Sequence, residues 1–309
     1  QGGAIVGSSP FIVSSPVYGQ VPASAYPVYN RTLGVKQRGV HYNNVYTAFY
    51  AQDEIRLMKD KLRLTLAGRY TTTGDEDPWS GSVAAGKLTP RVGLSFSVNK
   101  STSVYAVIDE SFIPQAGATF DGSEFDPITG TNKELGVKQE WLNGRWTASA
   151  SVYQITKNNV LTGDPNHQFF SIQLGQTQTS GIEFDLRGQI FTGLDVMLNY
   201  AYTDGKVTKD TDGKQVNTQI PGTDKNIANA WLNYRVPSGK VEGLGFSFGA
   251  SHAGGRSAWY AEYDKSIDPS MPSYTRFDAA TSYQFGKFGV ALNVNNVFNA
   301  DVFSGAYYS

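Results

Sequence analysis

Along most of the chain, apolar side chains fall on every second residue. Ile182, Phe184 and Leu186 alternate with Glu183, Asp185 and Arg187; Leu62, Leu64 and Leu66 alternate with Arg63 and Thr65. Leu194, Val196, Leu198, Tyr200 and Tyr202 alternate with Asp195, Asn199 and Thr203, and Phe277, Ala279 and Tyr283 with Arg276, Asp278 and Ser282. A period of two is that of a β-strand with one apolar and one polar face. Helical periodicity is almost absent. The pattern predicts twelve strands, over 45–58, 61–73, 88–99, 101–114, 133–142, 145–160, 169–190, 194–208, 227–237, 244–257, 275–286 and 288–303.

The connections alternate between two kinds. At Lys59-Asp60, Asn99-Lys100, Asn143-Gly144, Thr192-Gly193, Pro237-Ser238-Gly239 and Gly286-Lys287 the chain reverses within a few residues, with the Gly, Asn and Asp of tight hairpins. The intervening connections, near 74–87, 115–132, 161–168, 209–226 and 258–274, are longer and rich in Gly, Pro, Asp and Thr. In an up-and-down meander, one end of the sheet then carries tight turns and the other carries long loops.

The apolar face can look inward at a protein core or outward at lipid. A soluble sandwich uses strands of about 5–6 residues and places its long and short connections irregularly. The strands read here are about twice that length, as tilted membrane-crossing strands of about 9–11 residues or more require. Charges on the second face would be costly in a dry core but not in a wet lumen. Aromatic residues near strand ends, at Tyr70, Tyr105, Trp141, Trp146, Tyr153, Tyr202, Trp259 and Tyr260, are expected to form interfacial girdles. The expected fold is all-β, part of a transmembrane antiparallel up-and-down β-barrel, with 1–44 mostly extracellular loop and 45–309 carrying the strands.

Composition removes other classes. Basic and acidic residues number 26 and 27, so the net charge of −1 gives no global attraction for nucleic acid. The absence of cysteine removes disulfides, thiolate metal sites and thiol catalysis. No apolar run is long enough for a transmembrane helix, which a barrel would lack as well. The start at Gln1, with no signal-peptide pattern, reads as a processed or partial chain.

Apparent motifs have plain readings. GSVAAGKL (81–88) matches a phosphate loop up to Gly86-Lys87, but Leu88 replaces the magnesium-holding hydroxyl and no helix follows. GLGFSFG (243–249) lacks the spacing of a dinucleotide fingerprint. Asp210 and Asp212-Gly213 hint at calcium without the remaining ligands. His41, His167 and His252 are scattered, without zinc or triad spacing. Asp109 and Glu110, adjacent in a strand, point to opposite faces and are no acid/base pair. No enzyme, metal site or cofactor is expected.

Six stretches carry a further resemblance. VYTAFYAQDEIRLMKDKLRLTLAGRY (45–70), LTPRVGLSFSVNKSTSVYAVIDESFIPQAG (88–117), FDPITGTNKELGVKQEWLNGRWTASASVYQITKNNVLTGDP (125–165), GQTQTSGIEFDLRGQIFTGLDVMLNYAYTDGKVT (175–208), IPGTDKNIANAWLNYRV (220–236) and FGVALNVNNVFNADVF (288–303) resemble successive strands of TonB-dependent ferric-siderophore receptors. SPVYG (15–19) is similar to a stretch in a mid-barrel extracellular loop of that family. The resemblance implies a barrel of about 22 strands, plugged by an N-terminal domain, that imports an iron chelate with energy from TonB. It further implies that plug, TonB-contacting segment, about nine earlier strands and the last strand lie outside this sequence, in other chains or other sequence. A closed twelve-stranded barrel is the alternative architecture. A passive pore or an adhesion or secretion barrel is the alternative function.

A ferric siderophore arrives with its iron already saturated, so aromatic faces and a few polar contacts are the groups to seek, not metal ligands. The candidates at the long-loop end are Trp79, Phe120, Phe125, Phe169, Trp259, Tyr260, Tyr263, Phe303, Tyr307 and Tyr308. Resemblance singles out Tyr307, which matches the position where hydroxamate-type receptors carry a ligand-contacting aromatic. Expected partners are outer-membrane lipid, the ferric siderophore, TonB through the plug, and the remaining barrel strands.

Overall fold

A computed structural model describes residues 43–77, 81–258 and 268–303. It contains twelve strands: β1 (Asn43–Leu57), β2 (Leu62–Asp77), β3 (Gly81–Ser97), β4 (Thr102–Ile113), β5 (Ile128–Trp141), β6 (Trp146–Gly163), β7 (Ser171–Phe191), β8 (Leu194–Lys209), β9 (Asn226–Arg235), β10 (Gly245–Gly254), β11 (Tyr274–Phe285) and β12 (Phe288–Val294). They form one sheet in sequence order, every neighbouring pair antiparallel. Among the described residues β1 pairs only with β2 and β12 only with β11, so the sheet is open. The twelve-stranded closed alternative is thereby corrected.

Five of the six tight turns occur where the sequence places them, and the sixth, at Pro237-Ser238-Gly239, is a longer connection over 236–244. Asn143 and Gly144 turn with φ of 56° and 79°, and the Asn99 side chain accepts the Ser101 amide at 2.7 Å. Gly193 has φ of 90°, and a Cβ there would lie 2.3 Å from the Arg235 carbonyl, so only glycine fits. The long-connection end differs in detail. The strands around 74–87 run on, to Asp77 in β2 and from Gly81 in β3, and β5 starts at Ile128. The added residues of β2, Gly74-Asp75-Glu76-Asp77, carry no hydrophobic alternation and continue the backbone ladder opposite Gly81 to Ala84. GSVAAGKL and GLGFSFG fall largely in β3 and β10, as ordinary strand sequence.

The last strand is shorter than predicted. It ends at Val294 instead of 303, because Asn296 adopts φ of 54° and its amide turns to the Asp278 carboxylate at 2.8 Å. Asp278 is buried and also takes Arg276 Nε at 3.0 Å.

Register turns the alternation of single strands into two continuous faces. Leu94, Ala106, Leu135, Val152, Ile182 and Tyr202 are successive cross-strand partners from β3 to β8. One position along, the partners are Ser95, Tyr105, Gly136, Ser151, Glu183 and Ala201. No layer covers the first face among the described residues: Leu135 is 58% exposed and Ile182 52%. A soluble fold would bury such a stripe. The second face is bonded across strands, Arg187 Nε to Thr147 at 2.8 Å, Asn229 Nδ2 to Asn199 Oδ1 at 2.8 Å and Tyr105 to Glu134 at 2.6 Å. It is also the hollow one, with a cavity of about 400 Å3 bordered by Lys138, Glu140, Thr147, Ser149, Asp185 and Arg187. Asp109 pairs with Arg91 and Asn132 on this face while Glu110 takes the other, as their adjacency requires.

Two aromatic assignments change. Tyr105 and Tyr153 are on the polar face, not in a girdle. Their rings lie over the cross-strand glycines Gly136 and Gly181, where a Cβ would come within 2.5 Å of the ring. Trp141 and Trp146 do sit at a tight turn, stacked with centroids 6.1 Å apart.

Candidate functional site

The long connections at one end of the sheet are built from Asx turns and side-chain bonds to backbone, and neighbouring loops are fastened to one another. Between β4 and β5, Ala118 and Glu124 form a bridge that carries Phe120 at the tip. Phe125 is buried behind it, its ring 3.0 Å from where a Cβ on Gly117 would stand, and its amide reaches Gly117 O at 3.2 Å. Between β6 and β7, the Asp164 carboxylate accepts the Asn166 amide at 2.8 Å and meets His167 Nδ1 at 2.9 Å. His167 and then the Asn166 amide hold this carboxyl below its usual range.

The two loops meet through rings. Phe120 stacks on His167 with centroids 3.7 Å apart and meets Phe170 edge-on at 5.1 Å. Below them, Asn159, in a left-handed conformation, donates to Pro127 O at 2.9 Å, and Gln173 and Asp126 exchange bonds of 2.5 and 2.8 Å. Phe169, next to this cluster, is 95% exposed.

A second group of loops gathers around Arg256. Its Nε donates to Asp224 Oδ1 at 3.0 Å and its Nη2 to Asp224 Oδ2, a two-pronged ion pair between the β8–β9 and β10–β11 connections. Nη1 reaches the Phe303 carbonyl at 3.4 Å, in the segment after β12. The Asp224 contact lifts the guanidinium above its already high ordinary value. Sequence reading passed over both residues, since a lone Asp and a lone Arg about thirty positions apart carry no signal until topology juxtaposes them.

Of the sequence candidates, Phe120, Phe125, Phe169 and Phe303 are described, and all lie at this end. Phe120 and Phe169 stay open to solvent beside one another's loops, Phe125 is packed inside its own loop, and Phe303 belongs to the Arg256 group. Trp79, Trp259, Tyr260, Tyr263, Tyr307 and Tyr308 lie outside the described residues. Among the described residues no group of three or more His, Asp or Glu side chains is placed to hold a metal ion.

An uninterrupted meander, apolar on one face, polar and hollow on the other, and crowned by loops at one end, defines the wall of an outer-membrane β-barrel. Residues 6–297 match the family described as TonB dependent receptor-like, beta-barrel, and the chain belongs to that family. It is similar to the ferrichrome outer membrane transporter/phage receptor of Escherichia coli strain K12, 30% identical over 275 residues, which are 84% of this chain and 35% of that protein. The ferrioxamine B receptor of Salmonella typhimurium strain LT2 is 28% identical over 262 residues, 81% of this chain and 36% of that protein. The chain therefore spans about a third of the length of these curated relatives. In fold it is similar to the ferric preacinetobactin receptor from Acinetobacter baumannii, with a TM-score of 0.71 at 22% identity, covering 84% of this chain and 40% of that one. The ferripyoverdine receptor of Pseudomonas aeruginosa, solved with ferripyoverdine bound, gives a TM-score of 0.67 at 21% identity, covering 84% and 35%.

Proposed function

We propose that this chain supplies part of the wall and several extracellular loops of a receptor that carries a ferric siderophore across the bacterial outer membrane, powered by TonB through a plug outside the described strands. The observation that carries this reading is the match to the receptor family along residues 6–297, together with relatives that are named receptors or transporters for ferrichrome and ferrioxamine B. The apolar face then meets lipid, the polar face lines the lumen, and further strands complete the wall beyond β1 and β12. Ligand is held at the loop end by aromatic side chains, with Trp79, Phe120, Trp259, Tyr260, Tyr263, Phe303, Tyr307 and Tyr308 as the candidates. Phe125, enclosed by its own loop, supports the shape of that end. A chelate with all iron positions filled needs such surfaces and no catalytic group, so no enzymatic role is proposed.

Ferrichrome and ferrioxamine B, which these two relatives are named for, are the first chelates to try. Radiolabelled iron uptake, compared between a strain with and without the full-length protein over a panel of ferric chelates, tests the reading. Loss of uptake for at least one chelate is expected. Equal uptake of the whole panel by both strains would refute it. Tyr307→Ala, and Trp79→Ala combined with Tyr260→Ala, are expected to weaken binding by about 1–3 kcal/mol for each real contact.

A further inference from the structure

We propose that Arg256 is a positioning residue of the ligand-binding end, a single guanidinium that fixes three extracellular segments in one arrangement. This inference rests on the reading that the loop end binds a ferric chelate. The three segments are distant in sequence. The β8–β9 connection presents Asp224; the β10–β11 connection presents Arg256 itself; the segment after β12 presents the Phe303 carbonyl. One planar fork reaches all three, and both partners of the ion pair are largely withdrawn from water, with side-chain exposures of 16% and 11%. A desolvated, two-pronged guanidinium–carboxylate contact has a fixed geometry, which a surface ion pair lacks.

The local chain is shaped to make the contact. Gly255 adopts φ of 75°, and a Cβ there would lie 2.8 Å from Lys225 Cβ, so the β10–β11 connection can press against the β8–β9 connection only through a glycine. Gln219 Nε2 ties the same two connections by donating to Gly255 O at 2.7 Å and Thr223 O at 3.1 Å, and the Gly222 amide reaches Ser257 O at 2.8 Å. The segment after β12 has no ladder beyond Val294, and the Arg256 contact ties it to the other two connections.

Arg256 also stands outside the wall. The β9–β10 ladder closes at Asn226 and Gly254, two residues short of it. Its loss therefore changes the relative placement of loops and leaves the strands paired. The consequence is on capture of ligand, not on assembly of the barrel.

The test uses the full-length protein in the outer membrane, with Arg256→Gln, Arg256→Lys, Asp224→Asn and the exchange Arg256→Asp with Asp224→Arg. Ferrichrome and ferrioxamine B, iron-labelled, are the probes. For Arg256→Gln and Asp224→Asn the half-saturating concentration of the transported chelate is expected to rise roughly ten-fold or more, with the maximal uptake rate per surface receptor unchanged. Arg256→Lys, which keeps the charge and loses the fork, falls between, and the exchange recovers part of the loss. A lowered maximal rate at unchanged half-saturation would mark a folding role and overturn the proposal, as would half-saturation within two-fold of the parent in both single variants. Should the parent transport neither probe nor any other ferric chelate, the receptor reading fails instead. If the parent transports and the variants match it, the receptor reading stands and the role of Arg256 does not.

Discussion

Gly136 shows how a single position without a side chain sets the surface of the lumen. A Cβ built on it would lie 2.5–2.6 Å from three atoms of the Tyr105 ring, all on the cross-strand partner and none on the backbone. The ring lies flat on the wall, held by Glu134 at 2.6 Å and with Lys138 Nζ 5.3 Å from its centre. Tyr153 covers Gly181 in the same way, and Trp231 covers Gly249. Gly136→Val is expected to destabilise the barrel by about 1–3 kcal/mol through overpacking. In a Tyr105→Ala background the same change should cost far less, because the three atoms nearest to the added Cβ all belong to that side chain. Urea titration of the four proteins refolded in lipid measures the coupling, and strictly additive costs would contradict the contact. These pairs were not legible in the sequence. Tyr105 and Tyr153 read as girdle residues by their place near strand ends, and only the register that sets each opposite a glycine reveals room for a flat ring.

A strand is legible where its two faces differ in polarity and illegible where they do not. In β7 the run Ile182 to Arg187 separates cleanly, and its neighbours continue the division: Leu186 lies between Ala148 and Leu198, and Asp185 between Ser149 and Asn199. At the loop end the same strand reads Gln176-Thr177-Gln178-Thr179-Ser180, polar on both faces, so there the pattern places a strand, starting within two residues of Ser171, without saying which face is which. The bulges that shift the β6–β7 register beyond Lys157 have a cause in Asn159, whose left-handed backbone and bond to Pro127 O require the partner loop to be in place. The candidate aromatics suffered similarly: Phe120 was legible as an exposed ring of a long loop, its stacking on His167 was not. Facing predicts a contrast between two arginines. Leu186→Arg places a cation at the centre of the apolar face and should cost about 2–4 kcal/mol in a lipid-refolding titration. Asn233→Arg places one on the polar face across from Asp195, where a wet lumen accepts it at well under about 1 kcal/mol. Equal costs for the two would deny that the faces meet different solvents.

At the scale of the molecule the unusual feature is a sheet without a core. The described residues include only Phe125, Val207 and Ala253 as buried apolar side chains, and all three belong to a loop or to the loop end of a strand. Stability therefore comes from backbone pairing and from whatever solvent meets the apolar face, and both fail at the sheet's two margins. Outward-pointing amides and carbonyls of β1 and β12 have no neighbour among the described residues, and in hydrocarbon each unsatisfied group costs several kcal/mol with no water to relieve it. Fifteen residues of β1 and seven of β12 multiply that cost well beyond the roughly 5–15 kcal/mol by which a folded domain is stable. A protein confined to residues 43–303 is accordingly expected not to form a stable monomer in lipid vesicles. Offered the remaining strands of the wall as a separate chain, it should pair along both margins and close. The measurement is migration in detergent gels with and without boiling, since a closed barrel runs compact until heated, paired with protease resistance of the vesicle-bound protein. Joint refolding with the complementary strands should produce the compact, resistant form, and residues 43–303 alone should not. A compact, heat-sensitive, protease-resistant monomer from residues 43–303 would mean that β1 and β12 find each other, and these twelve strands would then be a barrel in themselves.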